Sequence, residues 1–385
     1  MFQDITRVSQ MAKEAAKNNE RVINATVGVL LDDNGQIVYS EVFDELLANL
    51  TPQEKYPYAD VAGPVNIRNN ILKFLHQEVF SDKEQFTMLT AGGTGGISNV
   101  ISVFKKNAGL VVSDLCWNNY LTIAKIFGVD VYSYPMFKNE GFNTDSLEEQ
   151  IKKATSEKEN VVVLINTPSQ NPTGYDLTSD ELERVVSIVN NAKKAGTKIT
   201  VLLDIAYYNF GMNQNLDPFV KLDDDINLAI VYSFSKSLGI YGLRLGTLTM
   251  ISKDAKDLEK VFYSHSRTKW STPNKLGCSV IEKILSDEDN MNKVYAEIDE
   301  HLNMLKSKTS MFKQELDNYG IKTHPYINGF FMTIPVADPE QTALELSKND
   351  VYVTTAGDGV RVAMSGVPSF RLKELAKRIN EVINK

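Results

Sequence analysis

Between about residue 86 and residue 251, strand-length apolar runs alternate with amphipathic stretches, and this alternation constrains the fold more than any other feature. "FTMLT", "GLVVS", "VVVLI", "ITVLLD", "LAIVYS" and "GTLTMI" are rich in Val, Ile and Leu and are apolar on both faces. Buried parallel strands read this way, because helices cover both sides of such a sheet. The segment "SDELERVVSIVNNAKKAG" is one such cover, expected to open at a Ser/Asp cap and to end at Gly196. The fold class is therefore α/β, a mostly parallel sheet sandwiched by helices.

After Ser252 the rhythm changes to long helical segments reaching about Asn318, followed by short strands ("GFFMTIP", "VYVTT", "GVRVAM") and two helices ("PEQTALELSKN", "SFRLKELAKRINEVIN"). The expected division is a large domain over 45–290 and a small α+β domain from 291–385 joined by 1–44. A chain of 385 residues has room for both.

A formal net charge of −8 argues against a general nucleic-acid or anionic-membrane surface. Two cysteines, Cys116 and Cys278, are too few for a disulfide framework or a thiolate zinc site, and four scattered histidines show no metal-ligand spacing. The polar N-terminus lacks a signal-peptide core, and no run approaches the ~20 apolar residues of a membrane span. A cytoplasmic location is the default expectation.

In an open α/β sheet, ligands sit beyond the carboxyl ends of the strands, so the residues just after each run carry the chemistry. "AGGTGGISNV" follows the first run, with glycines that admit a close ligand and a helix N-terminus that favours an anion. Gly93, Gly95 and Ser98 approximate a dinucleotide fingerprint with Asp114 about 20 residues on, whereas a P-loop is excluded because no Gly-Lys-Ser/Thr follows. Trp117 stands past the second run as core or ligand platform. Asn171 sits in the rigid "NTPSQNPTGYDLT", a turn by default. Asp204 ends the fourth run, where a buried carboxylate needs a partner, and Tyr207 follows. "SFSKSLGIYGLRLG" then supplies Ser233, Ser235, Lys236 and Arg244.

Together these residues ask for a ligand with a phosphate, a flat ring, a ring-nitrogen cation, an acidic hydroxyl and an aldehyde that a lysine can capture. Pyridoxal 5′-phosphate has each of those groups, and the pairing of a lysine with an acid at the ring nitrogen matches Lys236 and Asp204. A dinucleotide gives no reason for Lys236.

"NPTG", "DIAYYNFG", "SFSKSLGIYGLRLG" and "SRTKWSTPNKLG" occur in an order and spacing that resemble the class I aminotransferases of the aspartate and aromatic type, a likeness covering nearly the whole chain. The resemblance implies the fold of fold type I pyridoxal-phosphate transferases. It makes Lys236 the lysine that bonds the cofactor and shuttles the proton at the substrate's Cα, and Asp204 the partner of the ring nitrogen. Asn171 and Tyr207 would bind the ring hydroxyl oxygen, with Trp117 against the ring. Thr94, Ser233, Ser235 and Arg244 would hold the phosphate, with Gly93 lending an N–H. Tyr58 would reach the phosphate of a neighbouring subunit, so that two copies share their sites.

The same resemblance assigns Arg361, in "GVRVAMSG", to the substrate's α-carboxylate, with Gly28, Trp117 and Asn171 also facing the substrate. Arg267 would reach a distal carboxylate, which favours aspartate over aromatic substrates, with 2-oxoglutarate and glutamate as the common pair. Departures from the family's pattern are Leu115 for a proline, Tyr120 for a histidine that commonly backs up the aspartate, Gly92 for a hydroxyl residue and Leu276 for a histidine or aromatic. A β-lyase or decarboxylase on the same fold, or a binding protein that keeps the fold without catalysis, are the alternative readings.

Overall fold

The computed structural model describes residues 2–384. Seven strands form the central sheet: β1 (Gln85–Ala91), β2 (Ala108–Ser113), β3 (Asp130–Tyr134), β4 (Asn160–Asn166), β5 (Lys198–Asp204), β6 (Asn227–Ser233) and β7 (Leu245–Ile251). Their spatial order is β1-β7-β6-β5-β4-β2-β3. Strands β2 to β6 pair in parallel. Val161, Val163 and Ile165 of β4 belong to the core on one face, and Val162 and Leu164 to the core on the other. This is why the run is apolar without alternation.

Two features of the sheet differ from the sequence reading. Strand β7 is antiparallel to both β6 and β1, not parallel. Only 234–244 connects β6 to β7, and a link holding a four-residue helix (Phe234–Ser237) and one turn is too short for a crossover that returns parallel. Strand β3 was not among the six apolar runs, because it is an edge strand with Asp130, Val131 and Ser133 exposed.

Helices cover both faces. On one side lie α1 (Gly92–Val103), α2 (Asn119–Phe127) and the later Ala255–Lys269, contributing Ile97, Ile123 and Phe262 to the core. On the other lie Thr144–Glu157 and Ser179–Asn191, contributing Leu147, Ile151, Leu182 and Val185. Helix Ser179–Asn191 starts from a capping box in which Thr178 and Glu181 exchange bonds, one residue before the expected cap. It ends at Asn191 rather than near Gly196. The Asn190 side chain donates to the Lys221 carbonyl at 2.9 Å and accepts from Asp223 N at 3.0 Å, which binds it to a neighbouring loop.

A second core surrounds the three-stranded sheet of Met332–Pro335, Gly359–Val362 and Thr354–Ala356, with helix Ser369–Ile383 and residues Val8 and Ile23. Strand Ile23–Asn24 pairs in parallel with Val351–Tyr352, tying the N-terminal segment to this core. Helix Glu288–Asn318 runs from the first core (Met291, Val294) to the second (Phe312, Leu316). Between them Leu30, Tyr207, Phe210, Leu305, Phe330 and Phe331 form a small apolar joint.

Candidate active site

A cavity of about 310 Å³ opens at the carboxyl ends of β1, β4, β5 and β6. It is lined by twelve of the fourteen residues singled out in the sequence: Gly28, Gly93, Thr94, Trp117, Asn171, Asp204, Tyr207, Ser233, Ser235, Lys236, Arg244 and Arg361. The sheet carries most of them there, because each follows or ends a strand and the strands end at one level.

At the floor, Asp204 is 4% exposed. Its Oδ2 accepts a hydrogen bond from Tyr120 Oη at 2.5 Å and its Oδ1 accepts one from Ala206 N at 3.0 Å. Burial raises its carboxyl above the ordinary carboxylate range, while those two donors and the Lys236 charge oppose the rise. Asn166 Nδ2 donates to the Asp204 carbonyl at 2.8 Å, and Asn166 Oδ1 accepts from Asn171 N at 2.9 Å. One side chain thus ties the end of β5 to the loop carrying Asn171.

Lys236 lies in the short helix after β6 and donates to the Gly28 carbonyl at 2.5 Å. Its Nζ stands 5.1, 5.0 and 5.4 Å from the ring centres of Tyr207, Tyr241 and Phe330. Loss of hydration lowers it to about 7, and the nearby Arg361 and Arg244 charges push the same way, against Asp204. A lysine in this state is a free amine for much of the time at neutral pH.

At one end of the cavity, Gly93 and Thr94 open helix α1 and face Ser233, Ser235 and Arg244. Arg244 Nη1 donates to Ser235 Oγ at 3.3 Å and to the Tyr241 carbonyl at 2.9 Å. Gly92 has φ +68°, and a Cβ placed there would lie 2.6 Å from Arg244 Nη2. The glycine therefore makes room for the guanidinium as well as for the turn. Helix N-terminus, hydroxyls and arginine together make an anion cup.

At the other end, Arg361 of strand Gly359–Val362 is 4% exposed. It donates to Thr354 Oγ1 at 3.0 Å, Asn171 Oδ1 at 3.1 Å and the Thr26 carbonyl at 2.6 Å. Its guanidinium lies over the Phe331 ring at 4.4 Å. Burial lowers it to about 10, which leaves it a cation at neutral pH. No carboxylate is among these partners. Burial also pushes the Tyr207 phenol up, with Arg361 pulling it down.

Tyr58 and Arg267 lie outside the cavity. Tyr58 is 91% exposed. Arg267 is exposed near the end of Ala255–Lys269 and donates to Ser271 Oγ at 2.7 Å. Conversely, the cavity is also lined by Ile5, Val27, Asn166 and Tyr241, which the sequence reading gave no site role, and by Tyr120, which the resemblance placed behind the aspartate. Asn166 ends a strand, so the strand-end rule points to it. Ile5 and Val27 come from the N-terminal segment and carry no local signal of the kind.

Residues 20–379 match the model of the family described as aminotransferase class I and II. The chain belongs to this family. The resemblance read from the motifs is thereby borne out: the chain is an aminotransferase, with the α/β fold of fold type I transferases. It is 24% identical over 382 residues to the aromatic-amino-acid aminotransferase of Escherichia coli (strain K12), covering 94% of this chain and 93% of that protein. It is 25% identical over 382 residues to the mitochondrial aspartate aminotransferase of Arabidopsis thaliana, covering 94% and 85%. The crystal structure of an aminotransferase from Anaerococcus prevotii superposes with a TM-score of 0.92 at 27% identity, over 99% of this chain and 96% of that one.

Proposed function

We propose that the cavity holds pyridoxal 5′-phosphate and that the chain moves an amino group between an L-amino acid and a 2-oxo acid, with 2-oxoglutarate and glutamate as the common pair. The observation that carries this reading is the convergence of Lys236, Asp204 and the Gly93–Thr94–Ser233–Ser235–Arg244 cup on one cavity from separate strand ends. The donor set fits the cofactor group by group. The cup suits a phosphate, the buried Asp204 carboxylate a ring N–H, Asn171 and Tyr207 a ring oxygen, and Trp117 a ring face. When bound, the cofactor supplies the aldehyde that takes up the amino group and the ring that accepts electrons from Cα.

The chain's own residues then have distinct work. Lys236, partly free amine near neutral pH, attacks as a nucleophile and carries the proton to and from the substrate's Cα at Nζ. Asp204 keeps a proton on the ring nitrogen. Arg361, a buried cation with no carboxylate partner among the described residues, takes the α-carboxylate in a two-pronged grip. Trp117 and Gly28 confine the substrate between ring and loop.

Aspartate is slightly favoured over tyrosine and phenylalanine, on the strength of Arg267. In this reading Arg267 and Tyr58 serve the cavity of a second copy, which agrees with their exposure in one chain and with the exposed Tyr56 nearby (80%). The working form is then a homodimer, placed in the cytoplasm. Among the described residues no helix is long and apolar enough to cross a membrane. The division into 45–290 and the remainder belongs to the same proposal, with helix Glu288–Asn318 crossing its boundary unbroken.

Mixing the cofactor-loaded protein separately with glutamate, aspartate, phenylalanine and alanine tests the reading. Conversion of the visible absorbance band to the amine form is expected with glutamate and aspartate; no conversion with any of the four would refute it. Release of ammonia or carbon dioxide instead of an oxo acid would favour the β-lyase or decarboxylase alternative.

A further inference from the structure

The stretch from Thr26 to Leu31 passes along the cavity from the Arg361 side to the Lys236 side, and side chains hold it at several points. The Thr26 carbonyl accepts from Arg361 at 2.6 Å and the Gly28 carbonyl from Lys236 at 2.5 Å. Leu30 N donates to Tyr241 Oη at 2.9 Å, and Leu31 N to the Ser365 carbonyl at 3.1 Å. The Leu31 carbonyl accepts from Lys308 Nζ at 2.5 Å. In the reading above, Lys236 must leave Gly28 for the cofactor, and Arg361 must turn donors to the substrate. The ties to Tyr241, Ser365 and Lys308 are the ones that persist through the reaction, and Lys308 is the charged member among them.

Lys308 is 1% exposed on helix Glu288–Asn318, about one turn past Leu305 of the apolar joint and one turn before Phe312 of the second core. It does not line the cavity. Besides Leu31, its ammonium donates to the Val367 carbonyl at 2.9 Å, in the turn that follows the Arg361 strand. Gly366 of that turn lies backbone to backbone against the same stretch, since a Cβ there would be 3.1 Å from the Val27 oxygen and 3.7 Å from that of Val29. Asp33, just past Leu31, accepts from Ser369 N at 2.7 Å. Burial favours the neutral amine of Lys308, and the Asp33 and Asp32 charges oppose this. An apolar side chain would avoid the cost of taking a charge from water. What the ammonium adds is several donors on one atom, enough to join two main-chain segments.

We propose that Lys308 is a positioning residue for the amino-acid substrate, its ammonium fixing the Gly28 stretch against the turn behind Arg361. The inference rests on the aminotransferase site read above. Gly28 comes from the N-terminal segment and Arg361 from the small sheet, so nothing local sets the gap between them, and that gap shapes the grip on the α-carboxylate. A displacement of about 1 Å in such a frame can cost on the order of a hundredfold in rate. The cofactor's own contacts at Asp204 and the anion cup come from the central sheet and lie outside this staple. Loosening the staple therefore weakens the hold on the substrate and leaves the hold on the cofactor.

The test follows the half-reaction of the cofactor-loaded protein with glutamate by stopped-flow absorbance, which separates the apparent dissociation constant for glutamate from the limiting rate. In Lys308→Met the constant is expected to rise about tenfold or more. The limiting rate should stay within about threefold, and affinity for pyridoxal phosphate should not change. Lys308→Arg, which keeps a cation with several donors, should recover part of the loss. Gly366→Ala presses on the same stretch without unpairing a carbonyl, so it carries the test if Lys308→Met does not fold. Its constant should rise by a smaller factor, and the two effects should combine less than additively in the double variant. An unchanged constant in either single variant, a limiting rate that falls while the constant holds, or an equal loss of cofactor affinity would each overturn the proposal. Wild-type protein whose absorbance responds to no amino acid would instead defeat the aminotransferase site on which it rests.

Discussion

The Lys236 amine donates to the main-chain oxygen of Gly28 at 2.5 Å, bridging the end of β6 and the N-terminal segment. That carbonyl faces a lysine whose pKa burial has lowered from 10.5 to about 7. Capture of pyridoxal phosphate by the cofactor-free protein should therefore accelerate as pH rises through about 7 and level off above it. Stopped-flow absorbance over this range checks the point, and a midpoint near the ordinary lysine value would contradict it. Lys236→Ala should abolish turnover. The stability effect has the corresponding sign. The unfolded chain binds more protons than the folded one between about 7 and 10.5, so the lysine's cost to the cofactor-free fold is largest at low pH and fades as pH rises. Lys236→Met should accordingly raise Tm more at pH 6 than at pH 9.

Among the described residues, Arg361 has three hydrogen-bonded partners and no countercharge. Truncating it to alanine would remove the proposed grip on the α-carboxylate and take from Asn171 Oδ1 and the Thr26 carbonyl the donor they have in Arg361. A loss of about 2–5 kcal/mol is expected from breaking a buried charged interaction. That amounts to roughly 30-fold to several thousandfold in kcat/KM for every amino-acid substrate. Arg361→Lys should recover only part of the loss, since a single ammonium cannot replace a planar two-pronged donor. Steady-state kinetics that showed full activity in either variant would rule out the assignment.

Arg267 separates substrates if it acts across a dimer. Arg267→Gln is expected to slow aspartate and glutamate far more than phenylalanine or tyrosine, because only the former offer a second carboxylate. Equal slowing of all four, measured as kcat/KM, would dismiss the role. Light scattering on the same preparations should give the mass of two chains.

Much of this site could be read from the chain before its structure, and for a specific reason. The sheet brings strand ends to one level, so Asp204, Lys236 and the Gly93–Thr94 turn each announce themselves just after an apolar run. What could not be read is how separate segments meet. The resemblance put Tyr120 where a histidine commonly backs up the aspartate, but the bond itself joins residues 84 apart in sequence, and composition and periodicity near either residue do not encode it. The direction of β7 was equally hidden, since a buried strand shows the same apolar run whether parallel or antiparallel. Strand β3 escaped because an edge strand does not need an apolar outer face. The roles proposed for Tyr58 and Arg267 lie across a second copy, which one chain alone does not display.

Gly92 is the most exacting position of the anion cup. Gly92→Ala would force a side chain into left-handed backbone, at a cost of about 1–2 kcal/mol. Its Cβ would also lie 2.6 Å from Arg244 Nη2. The arginine must shift, so retention of the cofactor after dialysis should fall and Tm should drop by a few degrees. Arg244→Ala should abolish the difference in cofactor affinity between glycine and alanine at 92, leaving only the backbone cost. If both backgrounds lose cofactor affinity equally, the clash is not the cause.

The reversal of direction at β7 also bears on where this protein tolerates a longer chain. Ser233 is paired with Gly246 across the β6–β7 ladder, and Ser235, Lys236 and Arg244 all fall on the stretch between them. Both ends of that stretch are clamped in adjacent strands, so an inserted residue has no slack to fill and must separate the lysine from the arginine. Surface loops elsewhere can absorb additions at small cost. This connection behaves instead as a ruler, fixing the span between the reactive amine and the anion cup by its own length.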